Sequence, residues 1–245
     1  MAVDTGDGQA HLLEMAGLPE NLFANPVWHA LHTKHRHFAV SNGAACRYRA
    51  DVAPFVAVAE PSIAALGAAH SLLVPGEKVW IADAEYPEWP ELVWETSLEC
   101  LQMVLPEEVT PPEDTAVEFL PLSCADAPDM VALTDLAFPG FFRVKTCNMG
   151  SYYGVRVGGK LVSMSGERIM LDRYPEVSGV CTHPDDRGKG YAAALMWQVI
   201  RDHRRDGLIS WLHVTATNTP AVELYRRMGF VEARRLVWHR ISRRD

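Results

Sequence analysis

The sequence has no apolar run of about 18 residues, which leaves no candidate for a membrane-spanning helix. It also has no C-x-x-C pair. Its five cysteines, Cys46, Cys100, Cys124, Cys147 and Cys181, are odd in number and widely spaced, a usage that predicts reduced thiols in a cytoplasm and speaks against a zinc site. No G-x-x-x-x-G-K-[ST] string occurs, so a P-loop nucleotidase is not expected. The opening MAVDTGDGQAHLLEMAGL lacks the basic region and apolar core of a secretion signal, and none is expected there. Positive charge is scarce in the first half: residues 1–115 hold 5 Lys and Arg against 17 Asp and Glu, a formal −12, while residues 116–245 hold 18 against 14, a formal +4. An acidic half of that size makes nucleic acid a poor partner, because neutralising phosphates needs a basic surface.

What the chain does have is an ordinary globular composition, 48% hydrophobic and 22% charged over 245 residues, enough for one large domain or two small ones. The charge asymmetry favours two. The proline- and acid-rich stretch 106–114 has no periodicity and reads as a linker, giving an N-terminal α/β domain over 1–110 and a second domain over 115–245. In the first, Asn25-Pro26 opens a helix running to His32. Residues 45–60 are strand-like with Pro54 interrupting, 61–73 are helical, 78–83 form a strand, and 92–105 are apolar without a decisive period. His29, His32, His35 and His37 cluster without further ligands in view, so no metal is expected.

The second half alternates more clearly. Strand 116–122 precedes a helix over 129–138 and a short helix or loop over 139–149. Segments 152–157 and 160–165 alternate around Gly158-Gly159, a hairpin signal. Strand 176–182 leads to a helix over 192–205, with Ala192, Leu195, Met196, Val199 and Ile200 on one face and Arg201, Arg204 and Arg205 on the other. Strand 208–214, a helix from Thr219-Pro220 to Met228, and strand 231–241 complete the order βαα-ββ-βαβαβ. That order predicts an α/β fold, a mixed sheet with helices on its faces.

Between strand 176–182 and the long helix lies Arg187-Gly188-Lys189-Gly190. Gly188 and Gly190 allow a tight turn that aims backbone N–H groups at an anion. The helix adds its positive end, and Arg187 and Lys189 add formal charge, so the natural guest is a pyrophosphate. Gly188 to Ala193 also fits the dinucleotide fingerprint G-x-G-x-x-A, which wants an acid at the end of the next strand. Asp206 precedes that strand, and its end reads Thr215-Ala216-Thr217-Asn218, so a dinucleotide oxidoreductase is disfavoured.

Two segments in order resemble the acyl-CoA-dependent N-acetyltransferases of the GNAT superfamily. Arg187 to Ala192 matches R/Q-x-x-G-x-G/A after a strand, and Asn218, Ala221, Tyr225, Gly229 and Phe230 match N-x-x-A-x-x-x-Y-x-x-x-G-F. The resemblance covers residues 116–241, and the N-terminal half reads as a degenerate GNAT-like copy without the loop. It implies acetyl-CoA as acyl donor, with no metal, and direct transfer of its acetyl group to a primary amine. It implies that the backbone of Val180, Cys181 and Thr182 pairs with the pantetheine arm and that an N–H near Val180 polarises the acetyl carbonyl. The pyrophosphate would rest on Arg187, Gly188, Lys189, Gly190, Tyr191, Ala192 and Ala193, and Asn218 would contact the arm near the thioester. Tyr225 becomes the acid for the departing thiolate, with simple packing against Leu224 and Phe230 as its alternative. Glu176 becomes the base through water, its alternative being a solvated strand-end acid paired with Arg173. Phe141, Phe142, Tyr152 and Tyr153 flank the place where the family admits its amine, and Cys181 reads as a small buried residue rather than an acyl carrier. The acceptor stays open, a small molecule or a peptide; the acidic half could favour cationic amines. Expected besides are a cytoplasmic protein, no membrane partner and a homodimer. A non-catalytic acyl-CoA-binding sensor is the competing reading.

Overall fold

The computed structural model describes residues 19–82, 85–113 and 116–244; the expectation made for residues 1–18 lies outside them. Along the chain run helices α1 (Glu20–Ala24) and α2 (Pro26–His32), strands β1 (Ala39–Asn42), β2 (Ala45–Tyr48) and β3 (Val56–Val58), and helix α3 (Ile63–Ser71). Next come strands β4 (Lys78–Ala82), β5 (Leu92–Val104) and β6 (Leu120–Leu122), helix α4 (Ala127–Asp135), and strands β7 (Tyr152–Val157), β8 (Lys160–Leu171) and β9 (Tyr174–Thr182). Helix α5 (Tyr191–Arg205), strand β10 (Trp211–Thr215), helix α6 (Thr219–Arg227) and strand β11 (Val231–Arg243) finish the chain. Among the described residues no helix is long and apolar enough to cross a membrane.

These elements gather into two compact units. One holds the described residues up to Arg49, Pro54–Val104 and those from His213 on; the other holds Ala50–Ala53 and Leu105–Leu212. The chain is therefore not divided simply at the 106–114 stretch. The last strand explains why. β11 runs antiparallel to β5 from Val231–Val104 to Arg243–Leu92, and to β4 from Trp238–Ala82 to Ser242–Lys78. A ladder that long binds the chain's end to its first half more firmly than sequence proximity could.

The first unit combines the antiparallel sheet β1-β2-β3 with β4, β11 and β5. Its core packs Leu66, Leu73, Val79, Ile81 and Ile241. Ser62 caps α3 by accepting from the Ala65 N–H at 3.2 Å. The residues 45–60, expected as one interrupted stretch, form β2 and β3 on either side of Pro54. Arg47 is buried and forks onto Glu77, so a charge that would be costly alone is paired. Of the four clustered histidines, His35 is buried, with Nδ1 2.8 Å from the Tyr48 hydroxyl.

In the second unit the sheet order is β10-β9-β8-β7-β6. Its pairings are antiparallel except β9 with β10, which run parallel with Trp211 opposite Glu176. This is the mixed α/β sheet expected. α4 packs Ala127, Met130 and Leu133 on Tyr152, Leu161, Met164 and Cys181, while Leu195 of α5 packs with Val155 and Val162. Neighbouring residues of a strand face opposite ways, so the two helices cover opposite faces of this sheet. α5 buries Ala194, Leu195, Met196, Val199, Ile200 and His203; Ala192 is only half-buried.

The cysteines correct one expectation. Cys124 and Cys147 form a disulfide with Cα atoms 5.4 Å apart, while Cys46, Cys100 and Cys181 are buried and take part in no disulfide. Short 3-10 turns at Cys124–Asp126 and Thr146–Asn148 bring the pair together, which spacing alone could not reveal. Cysteine usage therefore no longer argues for a reducing compartment. Replacing Cys124 and Cys147 together by serine removes a cross-link with a sequence separation of 23. Loop-closure entropy puts the loss at roughly 3 kcal/mol, to be read as a lower urea midpoint. An unchanged midpoint in the oxidised protein would show that the bond does not form in solution.

Candidate active site

The centre of the second unit is β9. Met164 lies opposite Cys181 and Gly166 opposite Ser178, so Gly179 and Val180 together face the single residue Ser165. That is a β-bulge, which leaves an extra residue unpaired and frees its peptide from the ladder. Gly179 has φ +63°, and a Cβ placed there would stand 3.1 Å from the Met164 Cε and 3.3 Å from the Tyr152 ring. Glycine is needed both for the backbone and for the close approach. A lone glycine inside a strand pattern is the sequence sign of such a bulge. Cys181 is buried beside it, and burial pushes its thiol up to about 12, which suits packing and not nucleophilic chemistry.

β9 ends at Thr182. A 3-10 turn, Pro184–Asp186, leads to Arg187–Gly190, which is exposed. Gly188 and Gly190 both take positive φ, 77° and 78°, and nothing lies within 4 Å of a Cβ added to either; their requirement is conformational. Gly190 is the N-cap of α5 and supplies no capping side chain, and no acid occupies the first turn. The first N–H groups of a 15-residue helix thus point outward behind a glycine turn, with the helix dipole aligned on them. Lys189 hydrogen-bonds Asp186 at 2.6 Å, and Arg187 Nε approaches the Thr182 carbonyl at 3.4 Å. Lys160, at the start of β8, stands 3.1 Å from His183 Nε2 and adds a cation that the sequence reading missed. These groups fit a pyrophosphate.

Two side chains in sequence on β8 brace this frame from opposite faces. Glu167 meets His203 of α5, Oε1 to Nε2 at 2.8 Å, and His203 Nδ1 lies 2.8 Å from Ser210 Oγ. Burial would raise the Glu167 carboxyl, but hydrogen bonds from His203 and from the Ser151 N–H outweigh it and hold the group below the ordinary carboxylate value. Arg168 points the other way and grips Glu176, Nε to Oε2 at 3.0 Å and Nη2 to Oε1 at 2.6 Å; Oε2 also accepts from the Ile169 N–H at 3.1 Å. Glu176 is 1% exposed, within β9 rather than at its solvated end. The pairing with Arg173 is corrected as well: Arg173 contacts Glu107 and the Gly207 carbonyl.

The expected aromatic group is partly assembled. Phe141, Phe142 and Tyr152 line a shallow, open recess together with Phe138, Thr146, Arg168, Ser178 and Gly179. Phe142 stands edge-on to Tyr152 with centroids 5.5 Å apart, and Phe138 edge-on to Phe141 at 6.4 Å. Tyr153 does not join them. It faces α5, where its hydroxyl donates to Asp202 at 2.5 Å, because adjacent strand residues point to opposite faces. Phe138, Arg168 and Gly179 were not anticipated; only Gly179 carried a local signal.

Asn218 and Tyr225 belong to the first unit. Asn218, not Thr219, is the N-cap of α6, its Oδ1 accepting from the Ala221 N–H at 3.4 Å. Tyr225 is 6% exposed, its ring tilted against Phe230 at a centroid distance of 6.1 Å.

Residues 122–230 match the model of the acetyltransferase (GNAT) family. A crystal structure from Novosphingobium aromaticivorans, assigned to the GNAT acetyltransferases, is 30% identical and superposes over 91% of this chain and 99% of its own with a TM-score of 0.80. The chain belongs to the GNAT family. This GNAT chain is also 29% identical over 101 residues to the Escherichia coli K12 [ribosomal protein bS18]-alanine N-acetyltransferase, covering 40% of this chain and 68% of that one. It is 39% identical over 72 residues to the mycothiol acetyltransferase of Nocardiopsis dassonvillei, covering 29% of this chain and 21% of that one.

The lowered Glu167 value fixes a sign. Stabilisation from this group is present at neutral pH, above an unfolded value near about 4.3, and is lost as pH falls through the folded value. The wild type should therefore lose stability toward pH 3 more steeply than Glu167→Gln. Parallel acid limbs in urea titrations would rule out the Glu167–His203 contact as a stabilising pair.

Proposed function

We propose that the chain is an acetyl-CoA-dependent N-acetyltransferase that passes an acetyl group directly to a primary amine, by attack on the thioester. The observation that carries this reading is the glycine turn ahead of α5: two positive-φ glycines, an uncapped helix start and no first-turn acid, reached from a bulged strand. Acetyl-CoA supplies an activated acyl thioester and a thiolate leaving group. The N–H groups from Gly188 to Ala193, with Arg187 and Lys189, hold its pyrophosphate. The backbone of Val180, Cys181 and Thr182 pairs with the extended arm. β9 and β10 share the single ladder pair Trp211–Glu176, which supports an open edge along the rest of β9. The peptide freed by the Gly179–Val180 bulge donates to the acetyl carbonyl as charge builds on it. Asn218 contacts the arm near the thioester, and Tyr225 gives the thiolate its proton. Glu176 takes the ammonium proton by way of water, exchanging part of its contact with Arg168 to do so.

One observation favours the second reading, a non-catalytic acyl-CoA-binding sensor: both Glu176 oxygens are engaged by Arg168, and one also by the Ile169 N–H. The acetyltransferase activities of the relatives support an enzyme, and the ribosomal-protein alanine on which one of them acts keeps a peptide acceptor in play beside small amines.

Acetyl-CoA at about 100 times its dissociation constant should stabilise the fold by about 2.7 kcal/mol, visible as a raised melting temperature. No shift with any short-chain acyl-CoA would remove the reading. Tyr225→Phe should lower the rate of thiol release by about 10²-fold or more while keeping that shift. Indifference of turnover to the substitution would take the acid role from Tyr225.

A further inference from the structure

We infer that Lys160, oriented by His183, recognises the ribose 3′-phosphate of the acyl donor, so that the chain discriminates acetyl-CoA from its 3′-dephospho form. The inference rests on the proposed N-acetyltransferase reading and deepens it at the nucleotide end of the donor. The pyrophosphate has its partners without Lys160: the N–H groups from Gly188 to Ala193, with Arg187 and Lys189. CoA carries one phosphate more, a monoester separated from the diphosphate by the ribose. A further cation beside the glycine turn suits that group, because a charged donor on a phosphate oxygen makes a strong hydrogen bond.

The fold brings Lys160 toward the turn. β8 and β9 pair as far as Ser163 opposite Thr182, and the His183 N–H carries on to the Val162 carbonyl at 2.8 Å. Tyr191, the first residue of α5, packs on the cluster of Val155, Val162 and Leu195, so the start of β8 and the start of α5 converge. The 3-10 turn between His183 and the glycines is compact, with the Asp186 N–H returning to the His183 carbonyl at 2.9 Å. Arg156 Nη1 donates to the Gly159 carbonyl at 2.9 Å and fixes the hairpin beside Lys160, while its own charge is taken by Asp126 and Asp129.

Lys160 is the cation left over. Its Nζ lies 3.1 Å from His183 Nε2. An ammonium only donates, so Nε2 is the acceptor and the ring proton sits on Nδ1, 3.7 Å from the Asp185 carboxylate. That assignment excludes the 3.4 Å approach of the Asp185 N–H to Nδ1 as a hydrogen bond. Among the described residues no carboxylate pairs with Lys160, whereas Lys189 is tied to Asp186 at 2.6 Å. A lysine held by an imidazole keeps its charge un-neutralised and loses little side-chain freedom when an anion arrives. The Asp185 side chain is 87% exposed, so water screens its repulsion of that anion.

Dissociation constants for acetyl-CoA and acetyl-3′-dephospho-CoA, measured by calorimetry at low salt with no acceptor present, test this in the wild type, in Lys160→Gln and in Lys160→Arg. Lys160 is exposed at a hairpin end, so neither substitution opens the core. The wild type should bind acetyl-CoA about fivefold or more tighter than the dephospho form, a preference that shrinks as salt is added. Lys160→Gln should bring the ratio to about twofold or less by weakening acetyl-CoA alone, and Lys160→Arg should keep most of it. Equal affinity of the wild type for both donors, or a ratio unchanged in Lys160→Gln, would overturn the assignment and leave the N-acetyltransferase reading standing. Binding of neither donor to the wild type would instead fell that reading and this inference with it.

Discussion

At Gly179 the backbone adopts φ +63°, a conformation that strains any other residue, with the Met164 methyl and the Tyr152 ring close against it, and this one position governs what β9 can do. It inserts an extra residue, turns a peptide out of the ladder, and sets the aromatic wall against the strand at the same point. Everything downstream is a matter of chain length. From the bulge the strand reaches Thr182, the 3-10 turn and the two glycines that open α5. The spacing between the freed peptide and the helix start is then fixed by covalent geometry and not by any flexible contact.

Glu167 and Arg168 show how a single step along a strand serves two faces. Glu167 reaches His203 under α5, and Arg168 reaches Glu176 on the side of the rings. Each charge is largely withdrawn from water, and each would be unfavourable without its partner. Both Glu176 and His203 lie on elements that lead into or out of the glycine turn, so the two pairs hold the strand and the helix in place without occupying the turn itself.

Much of this was readable from the residues. The hairpin at Gly158-Gly159, the long amphipathic helix and the glycine turn are local, carried by periodicity or by residue type at fixed offsets, and the structure has them where the pattern puts them. Asn218 was legible as a motif residue, but its capping of α6 was not assigned, because Thr219-Pro220 offers a competing start signal. What escaped is non-local. Arg168 as the partner of Glu176 depends on the β8–β9 register, Tyr153 turning away from Tyr152 depends on which sheet face α5 covers, and the grouping of β11 with β4 and β5 depends on a ladder spanning most of the chain. The disulfide is of the same kind. Nothing in a separation of 23 residues says that two short turns will meet.

That bond has a consequence for the protein as a material. The segment it closes contains Phe138, Phe141 and Phe142, three of the four rings of the wall. Thr146, in the same segment, ties it down through a 2.6 Å bond to the Val52 carbonyl. That part of the wall sits on a covalently closed loop, whereas Tyr152 and the glycine turn sit on ordinary open chain. Protein recovered from a reducing cell interior and protein recovered from an oxidising one would share a sequence and a glycine turn yet differ in how firmly the ring-bearing segment is closed. The history of a sample, as much as its sequence, then sets the stiffness of that surface.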